Sequence, residues 1–218
     1  MAGAQSEPPQ RQDRRTAQAR SRYDRIARFY DLMESLSETS RFAPWRKRLW
    51  AEVQGPRVLE VGVGTGKNIP YYPQGVAVTA IDFSPKMLDR AQRQAEKLGA
   101  RVELRLMDAQ HLEFPDDSFD TVVATFVFCS VPDPVQGLKE LRRVAKPEGR
   151  ILLLEHVRPG GVAGTAADLL NPVVVRMMGA NINRRTVQNV EKAGFALDQV
   201  DDLAWNVVKL ILAHRPNA

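Results

Sequence analysis

The chain of 218 residues has one cysteine, Cys129, and three histidines, His111, His156 and His214. A lone cysteine excludes an internal disulfide and a multi-cysteine metal centre, and the histidines are not at ligand spacing, so no metal is expected. Long apolar runs are missing too. No stretch of eighteen apolar residues is present to span a bilayer, and Met1-Ala2-Gly3-Ala4-Gln5-Ser6-Glu7-Pro8-Pro9 lacks the apolar region of a signal peptide, which points to the cytoplasm. Most of the chain also lacks an excess of charge. Residues 1–50 hold 11 Lys+Arg against 6 Asp+Glu, which accounts for the whole formal net charge of +5. The length and a 44% hydrophobic content suit one α/β domain with a full core.

What is present is organised around Val58-Leu59-Glu60-Val61-Gly62-Val63-Gly64-Thr65-Gly66-Lys67-Asn68. An apolar run, read as a buried parallel strand, breaks into three glycines at alternate positions. That pattern suits a sharp turn with close approach of a nucleotide-like cofactor. The spacing is neither the Gly-x-Gly-x-x-Gly dinucleotide fingerprint nor a P-loop, and alone it also fits a structural strand-to-helix turn.

Along the chain, residues 1–15 read as a disordered N-terminus and 16–54 as a helical segment. Tyr23, Ile26, Phe29, Tyr30 and Met33 share one face there, amid Arg20, Arg22, Arg25 and Arg28. Such a helix lies on an anionic membrane surface, docks on a partner, or caps its own domain. A second helix is expected over residues 43–53. Residues 55–218 then alternate strands and helices: strands at 58–61, 74–83, 102–106, 121–127 and 151–154, one helix capped by Ser84-Pro85 and closed by Gly99, and another opened by Asp133-Pro134. Residues 158–182 interrupt the alternation with a glycine-rich loop and an apolar piece, a lid or acceptor pocket. Asn183 is placed to cap a final helix, and the runs 195–200 and 206–213 suit an antiparallel pair at the sheet edge.

Three acids end successive strands: Glu60, Asp82 and Asp108. Right-handed crossovers set these ends side by side, where ligands of parallel sheets bind. Asp82 suits ribose hydroxyls and Asp108 an exocyclic purine amine.

These features together resemble the class I S-adenosylmethionine-dependent methyltransferases over roughly residues 20–215. The resembling pieces are the glycine motif, Ala80-Ile81-Asp82-Phe83-Ser84-Pro85-Lys86-Met87, Met107-Asp108-Ala109, Phe114-Pro115-Asp116-Asp117-Ser118-Phe119-Asp120 and Arg143-Val144-Ala145-Lys146-Pro147-Glu148-Gly149-Arg150. The resemblance implies a Rossmann-like seven-stranded, mostly parallel sheet with an antiparallel edge strand, helices on both faces and an N-terminal helical lid. It implies S-adenosylmethionine held by Glu60, Gly62, Gly64, Gly66, Asn68, Asp82, Phe83, Met87, Asp108, Ala109 and Thr125. Residues 23–31 are similar to the opening of bacterial phospholipid N-methyltransferases and ubiquinone/menaquinone C-methyltransferases, which implies that Tyr23 and Tyr30 stand near the methionine end. Phe128-Cys129-Ser130-Val131, Leu154-Glu155-His156-Val157 and residues 180–184 are instead similar to membrane-associated thiol methyltransferases.

The acceptor implied is a phospholipid amine such as phosphatidylethanolamine, or another amphipathic molecule, with the protein peripheral at the inner membrane face. A quinone ring, a small thiol and a non-catalytic cofactor-binding module are the alternatives. Adenine- and cytosine-modifying enzymes of this fold carry an Asn/Asp-Pro-Pro-aromatic run after the fourth strand, where this chain has Thr125-Phe126-Val127-Phe128, so the resemblance does not imply nucleic acid as a partner. His156, just past a strand, is the general-base candidate by position, or a histidine bonded to backbone. Cys129 reads as a small buried apolar residue.

Overall fold

The computed structural model describes residues 42–178 and 180–216. The expectations for residues 1–41, Tyr23 and Tyr30 among them, lie outside the described residues. Helix α1 (Ala43–Ala51) opens on Pro44 and buries Arg46, Leu49 and Trp50. The sheet follows: β1 (Arg57–Val61), β2 (Ala77–Asp82), β3 (Glu103–Leu106), β4 (Phe119–Thr125), β5 (Ala145–His156), β6 (Ala196–Ala204) and β7 (Val208–His214). Its order is β3-β2-β1-β4-β5-β7-β6. β1 to β5 pair in parallel, and β7 runs antiparallel to both β5 and β6, which leaves β6 as the edge. The Rossmann-like α/β architecture is therefore present, and the order puts the ends of β3, β2 and β1 next to one another.

Local chemistry fixes the helices between strands. Ser84 caps α2 (Pro85–Leu98) by accepting from the Met87 amide at 3.3 Å, Pro85 presets the first turn, and Gly99 ends it at φ +61°. Asp133 caps α3 (Pro134–Val144) by accepting from the amides of Val135 and Gln136. The core lies on both faces of the central strands. Leu59, Val61, Val122, Ala124, Ile151 and Leu153 face Leu138 and Leu141, while Val58, Val123, Leu152 and Leu154 face Leu49 and Trp50, as period-two alternation requires.

Two expectations are corrected. The glycine-rich stretch is not a loop: Gly161 and Gly164 lie in α4 (Gly161–Met178), an 18-residue helix that runs on through the apolar piece with Pro172 inside it. Arg158 pairs with Asp168 at 2.8 Å, and Asn171 bonds to Asn181 and Ile182, so side chains anchor the helix despite its glycines. The last helix, α5 (Thr186–Lys192), begins after Arg185, and Asn183 does not cap it but donates to Asp168 at 3.2 Å. Among the described residues no helix is long and apolar enough to cross a membrane.

Candidate active site

A cleft opens where the carboxyl ends of β1, β2 and β4 meet, with the turn after β1 forming its floor. Gly62 leaves the strand at φ +72°, and a Cβ there would stand 2.4 Å from Val127 Cγ2. Its amide and that of Val63 both donate to the Ile81 carbonyl, at 2.8 and 2.9 Å. Gly64, at φ +56°, lines the cleft, and no heavy atom beyond its own two chain neighbours lies within 4 Å of where its Cβ would be. That open space is the cradle expected of a glycine turn under a ligand. Gly66 serves packing instead. It lies outside the cleft wall, and a Cβ there would press on Ile69 at 2.8 Å and on the Ala91 backbone at 3.2 Å.

Asp82 is buried at the rim, and backbone amides fix its carboxylate: Oδ2 accepts from Gly64 and Oδ1 from Ser84, each at 2.9 Å. Phe83, Met87, Met107 and Ala109 give the cleft an apolar slot beside it. Asp108 faces the same space, and its Oδ1 accepts from the Gln110 amide at 2.9 Å. The side chain of Gln110 then accepts from the Asp133 amide at 2.9 Å, which ties the end of β3 to the start of α3.

Glu60 does not line the cleft; it lies beneath the floor, fully buried. It accepts from Asn68 Nδ2 at 2.6 Å and from the Tyr72 hydroxyl. Burial pushes the Glu60 carboxyl above its ordinary value, with those two hydrogen bonds opposing the shift. Burial, with Glu60 beside it, also raises Tyr72 well above the ordinary phenol value. Asn68 carries the network upward: its Nδ2 also donates to Thr125 Oγ1 at 3.1 Å, and its Oδ1 accepts from Arg46 Nη1 at 2.9 Å. Arg46, Asn68 and Thr125 all line the cleft.

Beyond β4 the wall changes character. Phe126 adopts φ +57°, a left-handed conformation that a bulky residue seldom takes. Its ring stacks on His156 at 4.4 Å, meets Phe42 edge-on at 5.3 Å, and has the Arg46 guanidinium 5.7 Å away over its face. Phe126, not His156, lines the cleft. His156 has an exposed side, yet desolvation among its neighbours holds its pKa below the ordinary histidine value. Cys129 is buried, and burial pushes its thiol up to about 12, so it is no thiolate at neutral pH.

The expected cofactor residues Gly62, Gly64, Asn68, Asp82, Phe83, Met87, Asp108, Ala109 and Thr125 thus share one cleft, while Glu60 and Gly66 support it from behind. Arg46, Lys67, Phe126, Val127 and Ser130 also line it and were not anticipated. Arg46 stands three and four positions before Leu49 and Trp50, which puts all three on one face of α1. An acid at the end of β2, an apolar slot next to it, and a glycine turn over open space fit an adenosine, and buried Arg46 fits a carboxylate.

The profile of the methyltransferase-domain family matches residues 59–153. Over 115 residues, 51% of this chain and 57% of the relative, the sequence is 49% identical to a phosphatidylethanolamine N-methyltransferase of Cereibacter sphaeroides. The match therefore spans little more than half of that relative's length. A demethylmenaquinone methyltransferase of Lactobacillus johnsonii is 32% identical over 174 residues, 74% of this chain and 71% of the relative. In fold, the chain is similar to a crystal structure of an S-adenosylmethionine-dependent methyltransferase from Thermotoga maritima, with a TM-score of 0.69 at 19% identity over 89% of this chain and 99% of that one. The chain belongs to the class I S-adenosylmethionine-dependent methyltransferases.

Proposed function

We propose that the protein methylates the amine of a phospholipid head group, phosphatidylethanolamine or a relative of it, while resting on an anionic membrane surface. The observation that carries this reading is the outer face of α4. Val162, Ala166, Leu169 and Val173 recur at i, i+4, i+7 and i+11, one stripe of a helix about 27 Å long. That stripe faces away from the buried positions Gly164 and Ala167: Val162 is 87% exposed, Leu169 80%, Val173 56%, and the flanking Leu170 55%. Asp168 and Arg176 are the charged residues of α4, and Asp168 is engaged by Arg158. A face this apolar in water has a partner, and an uncharged stripe bordered by arginine suits the interface of a bilayer. Trp205, 89% exposed in the turn before β7, supports the same side. β7 starts opposite His156, so this indole and the start of α4 stand at the sheet end where the cleft opens.

When bound, S-adenosylmethionine supplies a sulfonium methyl group. Asp82 would hold the ribose, Asp108 and Ala109 the adenine edge, and Arg46 with Asn68 the methionine carboxylate. The alignment of acceptor with methyl is left to the wall from Phe126 to Val131, and rate then comes mainly from positioning in a dry cleft. A head-group ammonium must lose a proton before it attacks. His156, kept neutral near pH 7 by its lowered pKa, is suited to take it once Phe126 gives way.

The similarity to the demethylmenaquinone enzyme, which covers more of the chain, supports a second reading in which the acceptor is a quinol ring carbon. Transfer of labelled methyl to phosphatidylethanolamine vesicles, a demethylated quinol and a simple thiol, run in parallel, separates them. Label in the phospholipid is the expected result; label confined to quinol or thiol overturns the lipid reading and leaves the cofactor site as described.

A further inference from the structure

Glu155 is the penultimate residue of β5, with a fully buried side chain, and its two oxygens are treated unequally. Oε1 accepts two backbone hydrogen bonds, from Val127 at 2.8 Å and Phe128 at 3.2 Å. Oε2 is just as buried and has no hydrogen-bond partner among the described residues. A bare carboxylate oxygen in a dry interior is far costlier than a hydroxyl in the same place. The saturated Oε1 therefore leaves Oε2 as the atom that carries the proton.

The segment that Glu155 grips is the acceptor side of the cleft, where Val127, Ser130 and Val131 line the wall. It begins at the strained Phe126 and is held from the far side by the segment between α4 and α5. There the amide and side chain of Asn181 both donate to the Cys129 carbonyl, at 2.8 and 2.9 Å, and Arg184 Nη2 donates to the Val131 carbonyl at 2.7 Å. The titratable and charged groups facing Glu155 are the Cys129 thiol, from this same wall, and the Arg184 guanidinium. His156, the next residue along the strand, turns its ring to the other face, onto Phe126.

We propose that Glu155 is the positioning residue of this wall. As a neutral acid protonated on Oε2 it holds residues 126–131 in the shape that lines the cleft, and loss of that proton draws Arg184 off the Val131 carbonyl and reshapes the wall. The two arrangements differ in where one guanidinium rests, so the change is discrete. Burial raises the Glu155 pKa to about 8, and the Val127 and Phe128 amides offset part of that rise. The folded protein therefore holds a proton that the unfolded chain sheds at the ordinary value of 4.5. The stability tied to this proton is complete below 4.5, falls with rising pH from there, and is lost once pH passes about 8.

The test is a pH titration of the full chain followed at the backbone amide resonances of Val127 and Phe128. Both are expected to shift together with a midpoint of about 8, unchanged in Cys129→Ser and abolished in Glu155→Gln, which keeps both backbone contacts but cannot ionise. Turnover on phosphatidylethanolamine vesicles should fall across the same midpoint in the wild type, and Glu155→Gln should show no such fall. Affinity for S-adenosylmethionine, read by calorimetry at neutral pH, should stay within about threefold, or about 0.7 kcal/mol, in that variant. A midpoint that persists in Glu155→Gln, or amides that do not move near pH 8, overturns the proposal. If the wild type transfers no methyl to the vesicles, the lipid reading fails, and the amide titration still decides the role of Glu155.

Discussion

The two halves of the cleft are built on opposite terms. Over β1, β2 and β3 the charged and amide groups that shape the floor are committed, with the buried Thr65 hydroxyl as an exception among the described residues: Asp82 to two amides, Asn68 to Glu60, Thr125 and Arg46, and Asp108 to Gln110. Over β4, β5 and α4 the wall rests on a left-handed Phe126, a carboxyl with one idle oxygen and a helix with its apolar stripe outward. Satisfied buried networks fix one geometry, whereas strained or half-satisfied groups persist where a second geometry is of use. The first half suits a cofactor that never varies in shape, and the second suits an acceptor that must enter from outside.

The largest effect is expected where the first half meets the ligand. Asp82→Ala removes the charged acceptor fixed by Gly64 and Ser84, and two charge-assisted hydrogen bonds to a sugar correspond to about 3–4 kcal/mol. S-adenosylmethionine affinity by calorimetry should therefore fall by a few hundredfold, and a loss below about tenfold would mean that the rigid half is not the ribose site. Next comes Glu60→Ala, which touches no ligand. It leaves the buried Tyr72 hydroxyl without its acceptor and loosens Asn68, at a cost of about 2–3 kcal/mol in urea unfolding. An unchanged midpoint would show that the floor does not depend on this network and would erase the contrast between the halves.

That contrast also governs how much was legible in the sequence. The strand-end acids, the Ser84-Pro85 and Asp133-Pro134 caps and the Gly99 stop are set by short-range chemistry, and they stand where the residues suggest. Glu60 reads as a ligand contact because its position at a strand end is local information; that it points under the floor depends on Asn68 and Tyr72 folding back to meet it. Arg46 shares a helix face with Leu49 and Trp50, but that it meets Asn68 at the cleft depends on α1 packing against the turn after β1. On the other half, Gly160, Gly161, Gly164 and Pro172 signal a loop, yet tertiary contacts from Arg158 and Asn181 override that signal and make α4. Glu155 stands in Leu154-Glu155-His156-Val157, a likeness that says nothing of its burial, since an acid after an apolar strand looks the same whether it ends in water or in the core.

A smaller effect is expected on the outer face of α4, where the two halves should separate cleanly. Leu169→Glu with Val173→Glu puts two charges on the exposed stripe without touching Gly164 or Ala167, the helix residues that face inward. Partition onto vesicles of phosphatidylethanolamine and phosphatidylglycerol, measured by sedimentation, should drop by at least about tenfold, since burying even one Leu side chain is worth about 1.5–3 kcal/mol. Affinity for S-adenosylmethionine should not change. Retained partition would remove α4 from the membrane contact, and a parallel loss of cofactor affinity would show that α4 acts through the cleft instead.

The smallest effect is expected at Cys129, and its smallness is informative. The thiol belongs to the adaptable wall, close enough to Glu155 to feel its charge, which makes it the natural suspect for a reactive group there. Its surroundings argue otherwise. Burial and the neighbouring carboxyl raise its pKa to about 12, and its Sγ–H donates weakly to the Phe126 carbonyl at 3.4 Å. At pH 7.5 the thiolate fraction is then only on the order of a few in 10⁵, too little for nucleophilic work, and methyl transfer by direct displacement needs no enzyme nucleophile. Cys129→Ala should cost about 1 kcal/mol through lost packing, leave turnover within about twofold, and the wild-type thiol should resist iodoacetamide until the chain is unfolded. Rapid alkylation of the folded protein would show that the wall around Glu155 opens far more readily than its contacts with Asn181 and Arg184 suggest.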